Sequence, residues 1–419
     1  MMNSLKKRFA CGMLRQALEV MPVVVVTGAR QTGKTTLVRE LCPGDDRTFY
    51  SLDQIEIQQQ FRSTPESLLK HLPTTIDEVQ RIPELLLTIK TMVDSGPRRP
   101  GAYLLTGSAN LSLLSNVADS LAGRAYYLEL HPFCPVEWCD LPERLSCIDS
   151  LFRRNFDCRE WPCDRGDWIE WAIRGGFPSA LSQENDQARD IWFSGYVQTY
   201  LERDLREIQQ VSSLPDFRRM MRLAAARVGR LLNQSEIGRD AGIKQPTAHR
   251  YLNLLETGYQ IARLDPYATK RTSQIVKSKK LFWRDTGLGA WLNRYRTRDD
   301  LEQAPDIGFW LEQAFFQTLA VWASLDPSRR HLYYWRDRRG NEVDFILEND
   351  GDLVALEIKT AEKVGPRDAA GLNSFKESLK GRKELLINSA VLHTGTSSRP
   401  FGDNVYALPI GYFFPDYEV

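Results

Sequence analysis

No apolar run in this chain approaches the roughly 20 residues that a membrane-spanning helix needs. The longest near the N-terminus, Val23–Val26, falls far short. Lys6, Lys7 and Arg8 precede Ala10–Val20 in the order of a secretory leader, but Arg15 and Glu19 interrupt the apolar part. These features predict a cytoplasmic protein with no membrane partner. Cysteine is also sparse: seven in 419 residues do not make a disulfide scaffold. Cys134, Cys139, Cys158 and Cys163 form two C-x4-C pairs with His131 nearby, a spacing looser than most zinc sites use, and read as ordinary reduced thiols. Nor does charge of one sign dominate. Lysine and arginine number 55 against 54 acids, so any nucleic-acid surface has to be a local patch. Repeats and low-complexity segments are missing.

What is present suffices for several cores. Hydrophobic residues make up 42% and charged residues 26%, ordinary for a globular chain, and the length suggests two or three domains. Residues 1–20 read as an amphipathic helix. From Val23 to about Glu137 short apolar strands (Val23–Val26, Tyr103–Thr106, Tyr126–Leu130) alternate with helical stretches such as Glu84–Val93, an α/β pattern. Residues 140–167, rich in charge, proline and cysteine, look like a connection. Helical patterns dominate from Trp168 to about Leu255, and strands resume near His331.

Gly28-Ala29-Arg30-Gln31-Thr32-Gly33-Lys34-Thr35 fits G-x-x-x-x-G-K-T in full. It follows a buried-strand pattern and precedes a helical one that begins at Thr36, the context this phosphate-binding loop requires. Glycines let the backbone turn its N–H groups toward phosphates, and the helix N-terminus adds its dipole. Lys34 is expected to reach the β- and γ-phosphates and Thr35 to ligate Mg²⁺, so ATP and Mg²⁺ are the expected cofactors. A strand-end carboxylate must help hold the metal. In Thr74-Thr75-Ile76-Asp77-Glu78, Asp77 takes that role and Glu78 activates the attacking water. Leu104-Leu105-Thr106-Gly107-Ser108 reads as a third strand whose Ser108, or Thr106, could sense the γ-phosphate. Arg124 is a candidate arginine finger, in cis or from a neighbouring subunit of a homo-oligomer; a plain surface arginine is the alternative.

These segments, from Gly28-Ala29-Arg30-Gln31 through Ile76-Asp77-Glu78-Val79-Gln80-Arg81-Ile82-Pro83-Glu84 to Leu105-Thr106-Gly107-Ser108 and Leu121-Ala122-Gly123-Arg124, resemble the prokaryotic AAA-type ATPases that carry a C-terminal domain of unknown function, DUF4143-like. Tyr200-Leu201-Glu202-Arg203-Asp204 and the run Lys277–Leu288 resemble further signatures of that family. Ala29 stands where the family usually has proline. The resemblance implies an AAA+ fold, ATP and Mg²⁺, and supplies no substrate.

Asn233–Ala241, with an asparagine cap, then Gly242-Ile243 and the helix Gln245–Glu256 ended by Gly258, have the form of a winged helix-turn-helix. Gln245, Thr247, His249 and Arg250 would face a partner. From Arg263 to Lys280 six basic residues (Arg263, Lys270, Arg271, Lys277, Lys279, Lys280) stand against Asp265 alone and could track DNA phosphates. Winged helices in ATPases also serve as lids or protein docks, so DNA and a protein partner both stay open. Arg203 is a further candidate for reaching the nucleotide.

Asn349-Asp350-Gly351-Asp352 is a two-residue hairpin signal between alternating runs. Centred between Asp350 and Gly351, it places Asp344 opposite Glu357 and Glu342 opposite Lys359, all four on one face. A charged outer face is the plain reading. It accounts poorly for two opposed carboxylates, whose repulsion at about 5 Å is on the order of 3 kcal/mol. A divalent cation bridging Asp344 and Glu357 would reverse it. Lys359 would then stabilise charge on a phosphate, and Glu312, on the apolar face of a helix from Phe309 to Ala323, could complete the set or be a salt-bridged core residue. Asp…Glu-x-Lys resembles the restriction-endonuclease-like nucleases, with Val343 where proline usually precedes the aspartate.

The expected organisation is α/β throughout: an AAA+ phosphate-loop core over 1–139, a helical lid or connection over 140–205, a winged-helix-type region over 206–290 and a restriction-endonuclease-like domain over 300–419. Mg²⁺-dependent ATP hydrolysis would be coupled to DNA binding or cleavage. Alternatively, an ATP-switched protein would carry an inactive nuclease-like domain that docks a protein.

Overall fold

The computed structural model describes residues 5–41, 47–107, 121–164, 166–199, 213–268, 278–380 and 385–417. The chain divides into two compact units, Met1–His131 with Thr257–Gln260, and Pro132–Glu256 with Ile261–Val419.

The first unit is a layered α/β structure. Its strands β1 (Val23–Thr27), β2 (Thr48–Ser51), β3 (Thr74–Asp77), β4 (Tyr103–Thr106) and β5 (Ala125–Glu129) form one parallel sheet in the order β2-β3-β4-β1-β5. β1 has neighbours on both edges and helices on both faces, which is why it reads as an unbroken valine run rather than an alternation. Val23 and Val25 pack with Ile76 and Leu105 under the helix Leu85–Ser95. Val24 and Val26 pack with Leu104 and Leu128 under the helix Ala10–Val20. That helix begins at Ala10, not at residue 1. Arg8 instead donates to the carbonyls of Thr32 (2.7 Å) and His131 (2.6 Å). Parallel pairing brings the carboxyl ends of β1, β3 and β4 to one edge, where open α/β sheets place their ligands.

The second unit is built on a mixed six-stranded sheet of order β12-β13-β11-β10-β9-β8. Its strands are β8 (Arg330–Arg336), β9 (Glu342–Asn349), β10 (Asp352–Lys359), β11 (Leu385–His393), β12 (Arg399–Gly402) and β13 (Val405–Pro409). Asp350 (φ 55°) and Gly351 (φ 89°) make the left-handed turn that Asp-Gly favours. The register runs as the turn dictates from Asp352↔Asn349 to Leu356↔Phe345. There it stops. One residue on, the Asp344 carboxylate accepts the Ile358 N–H at 2.9 Å, in place of a ladder partner. The plain reading of a solvated charged face also fails. Ile346 and Ala355, on the same face as Asp344 and Glu357, are buried with Leu372 and Phe375 of the helix Ala370–Ser378.

Two helices succeed one another along the chain, Gln234–Asp240 and Gln245–Thr257, with Asn233 accepting the Glu236 N–H at the start of the first and Gly242 (φ 67°) between them. A two-stranded antiparallel sheet follows, β6 (Ile261–Leu264) with β7 (Lys280–Trp283). The 18-residue helix Ile307–Ser324 is buried on most of its surface. Its Gln313 side chain exchanges both amide bonds with the Trp283 backbone, at 2.8 and 2.9 Å, which fixes β7 against it.

Candidate functional site

The loop after β1 and the segments that follow β2 and β3 enclose a cleft of about 300 Å³ lined by Arg30, Gln31, Gly33, Lys34, Thr35, Thr36, Asp53, Glu78 and Arg81. Gly28 begins the loop at φ 138°, and a Cβ there would lie 2.4 Å from the Leu130 carbonyl oxygen, so the close approach to β5 requires glycine. Ala29 and Thr32 are buried beneath the loop, the Thr32 hydroxyl donating to the Ala29 carbonyl at 3.0 Å. Lys34 curls over it and donates to the carbonyls of Gly28 (3.1 Å) and Ala29 (2.7 Å). Burial pushes its ammonium down to about 8, against the opposing pull of Glu78 and Asp77.

The Thr35 hydroxyl sits 3.0 and 3.1 Å from the two Asp77 carboxylate oxygens. These hard oxygen donors, one from the loop and one from a strand end, fit a Mg²⁺ ion held largely through water. Thr106 donates to Asp77 and accepts the Glu78 N–H at 3.1 Å. Its hydroxyl is thus committed to the Asp77 carboxylate and the Glu78 backbone. Glu78 has φ 59°, an uncommon conformation for a side chain of this size, and its carboxylate accepts from the Gln80 amide. Arg124 does not line the cleft. It makes a bidentate pair with Asp94 at 2.6 and 2.8 Å on an exposed surface. Ser108 lies outside the described residues, as do Arg203 and the segment Tyr200–Asp204.

The second cluster gathers Glu312, Asp344, Glu357 and Lys359 around a buried cation, Lys280. The Lys280 ammonium, buried at the start of β7, lies 2.5 Å from Glu342, 3.3 Å from Glu312 and 3.4 Å from Asp344. Burial opposes its charge, yet the carboxylates of Glu312, Asp344 and Glu342 outweigh burial and hold the lysine well above its ordinary range. Glu312 is pushed up to about 8 by burial and by Asp344, against Lys280. Glu357 is pushed up to about 7, again by burial first, despite its 2.7 Å contact with Lys359. Its other oxygen is buried with no hydrogen-bond partner. One correction follows: Glu342 pairs with Lys280 and Arg336, not with Lys359. Lys280 supplies the positive charge, and among the described residues no group of three or more His, Cys, Asp or Glu is arranged to hold a metal.

The basic stretch also differs from the expectation. Arg263 pairs with Glu256 and Asn253, Lys279 with Asp265, and Lys280 is buried, while Lys270, Arg271 and Lys277 lie outside the described residues. Gln245, His249 and Arg250 are exposed on the second helix, His249 between Gln234 and Asn253, and Thr247 is half-buried. Cys134, Cys139, Cys158 and Cys163 are in no disulfide among the described residues. Among the described residues no helix is long and apolar enough to cross a membrane.

Residues 21–139 match an AAA domain, 165–299 a domain of unknown function (DUF8612) and 307–413 a domain of unknown function (DUF4143). The chain is 30% identical over 411 residues, 97% of its own length and 84% of theirs, to the uncharacterized proteins Rv2008c of Mycobacterium tuberculosis and Mb2031c of Mycobacterium bovis. It belongs to their family, AAA-domain proteins with a DUF4143 domain. A solved Walker-type ATPase of Pyrococcus abyssi aligns at 15% identity with a TM-score of 0.41, over 70% of this chain and 99% of that one.

As an AAA-type ATPase the protein binds and hydrolyses ATP. Two residues of its cleft, Asp53 and Arg81, were not foreseen. Arg81 stands three positions after Glu78, a spacing that could have flagged it. Asp53, just beyond β2, left no signal, because nothing in a short polar turn announces which strand lies beside it. Lys280 was seen only as part of a basic run.

Proposed function

We propose that the protein is an ATP-driven switch whose second unit binds a partner rather than cutting DNA. The observation that carries the ATPase half is the Thr35–Asp77 contact beside Lys34. Mg²⁺ bound there would neutralise phosphate charge and fix the phosphate geometry. Around it, the loop from Gly28 to Thr36 cradles the phosphates with backbone N–H groups, and Lys34 moves from the loop carbonyls to the phosphate oxygens. Asp77 and Thr35 supply oxygen donors, with Thr106 orienting Asp77. Glu78 accepts the proton of the attacking water once its carboxylate leaves Gln80. Arg124, half-buried and held by Asp94, would act as a finger in trans, which requires a homo-oligomer.

The partner-binding half rests on Lys280. An ammonium among Glu312, Glu342 and Asp344 occupies the electrostatic role of a catalytic cation. The nuclease-like arrangement is then a binding fold, and the helix-turn-helix docks a protein. One observation favours the rival reading, ATP-gated DNA cleavage: Glu357 keeps an unpaired buried oxygen beside Lys359.

One assay separates the two. Plasmid and single-stranded DNA are incubated with the protein and Mg²⁺ or Mn²⁺, with and without ATP, alongside Glu357→Ala. ATP turnover that needs Mg²⁺ and Lys34, with no cutting, supports the switch. Cutting that Glu357→Ala abolishes overturns the binding-domain half and leaves the ATPase half standing.

A further inference from the structure

The cleft contains an ion pair between Arg81 and Asp53. Arg81 Nη2 lies 2.6 Å from Asp53 Oδ1, and both residues line the pocket. Asp53 follows β2, and Arg81 ends the one-turn 3₁₀-helix Val79–Arg81. That turn matters. A 3₁₀-helix has three residues per turn, so positions i and i+3 lie on one side. Glu78 is the residue before the turn and Arg81 comes three later, its N–H donating to the Glu78 carbonyl at 3.0 Å. Both side chains line the same cleft as Lys34 and Thr35.

We propose that Arg81 recognises the terminal phosphate of bound nucleotide and that Asp53 holds it in reserve until that phosphate arrives. This rests on ATP binding at the phosphate loop. Four facts support it. The pair is half-exposed, at 43% and 56%, and such pairs contribute little and exchange partners readily. A guanidinium binds a phosphate through two parallel charge-assisted N–H bonds, the stronger class of contact. A triphosphate brings more negative charge than a single aspartate. And without Arg81 the γ-phosphate end would face Asp53 and Glu78, two like charges, so the cleft itself discriminates against an extra phosphate unless the arginine neutralises it.

The consequence is selectivity between ATP and ADP, readable without turnover. Binding of fluorescent ATP and ADP analogues is measured on full-length wild type, Arg81→Ala, Arg81→Lys and Asp53→Ala, with Mg²⁺. Arg81→Ala is expected to weaken the ATP analogue about tenfold or more while shifting the ADP analogue less than threefold. Arg81→Lys recovers part of the difference, since a point charge replaces the fork. Asp53→Ala tightens ATP selectively by removing the competitor and the repulsion. Equal losses for both nucleotides in Arg81→Ala, or unchanged ATP affinity in both Arg81→Ala and Asp53→Ala, overturn the proposal. Lys34→Ala is the separate control: it should lose both nucleotides, and retained binding there would break the phosphate-loop reading instead. Should Arg81→Ala not fold, Arg81→Lys and Asp53→Ala still decide, because they predict opposite shifts in ATP affinity.

Discussion

Lys280 Nζ lies 2.5 Å from Glu342 Oε1 in a pocket that leaves the lysine 1% exposed. Removing one member of a buried ion pair strands the others, at a cost of about 3–5 kcal/mol. Lys280→Met is therefore expected to lower the second unit's stability by that order, seen as an earlier unfolding transition in calorimetry. Adding Glu342→Gln and Asp344→Asn should restore part of it. A wild-type-like transition for Lys280→Met alone would show that the network carries no net charge constraint.

The same pair bears on metal. With Lys280 in place, Mn²⁺ titrations of wild type and Asp344→Ala without nucleotide should coincide. A binding step that Asp344→Ala removes would mean that lysine and metal coexist or exchange there, and the cleavage reading would regain ground.

Lys34→Ala should weaken ATP binding by at least ~30-fold, since losing one partner of a buried charged contact costs about 2–5 kcal/mol. Equilibrium binding measures it directly, and a change below threefold contradicts the role given to Lys34.

Lys34 also sets a pH dependence. In the free cleft burial holds its pKa down to about 8, and a polyphosphate favours the protonated form, so the bound pKa must be higher. Below pH 8 the ammonium is already charged and affinity is flat. Above it, each binding event must also take up a proton, so the dissociation constant rises, by up to tenfold per pH unit, until the bound pKa is passed. Titrations from pH 7 to 9.5 test this. A flat profile would place the Lys34 pKa elsewhere.

Gly28→Ala puts a methyl 2.4 Å from the Leu130 carbonyl, with backbone on both sides unable to yield. Overpacking of this kind costs about 1–3 kcal/mol. The variant should unfold earlier and bind ATP more weakly, by calorimetry and titration, whereas Gly351→Ala should cost only what its left-handed φ imposes.

What could be read in advance was what is local. The phosphate loop is one contiguous segment whose glycines, lysine and threonine must be adjacent to work, so spacing alone exposes it. The Asp350-Gly351 turn dictates its own register, and the pairs down to Leu356↔Phe345 follow. The reading broke where a side chain replaced the backbone, at Asp344 and Ile358. It also broke where distant segments meet. Lys280 precedes Glu312 by 32 residues and Asp344 by 64, and no periodicity connects them. Arg124 was foreseen as a residue but not its capture by Asp94, which depends on how a helix lies beside a strand.

Arg8 gives this a practical edge. Its guanidinium holds the Thr32 and His131 carbonyls, so the disposable-looking N-terminal arm is the outer wall of the phosphate loop. A trimmed start that omits Arg8 is in effect a mutation of the nucleotide site.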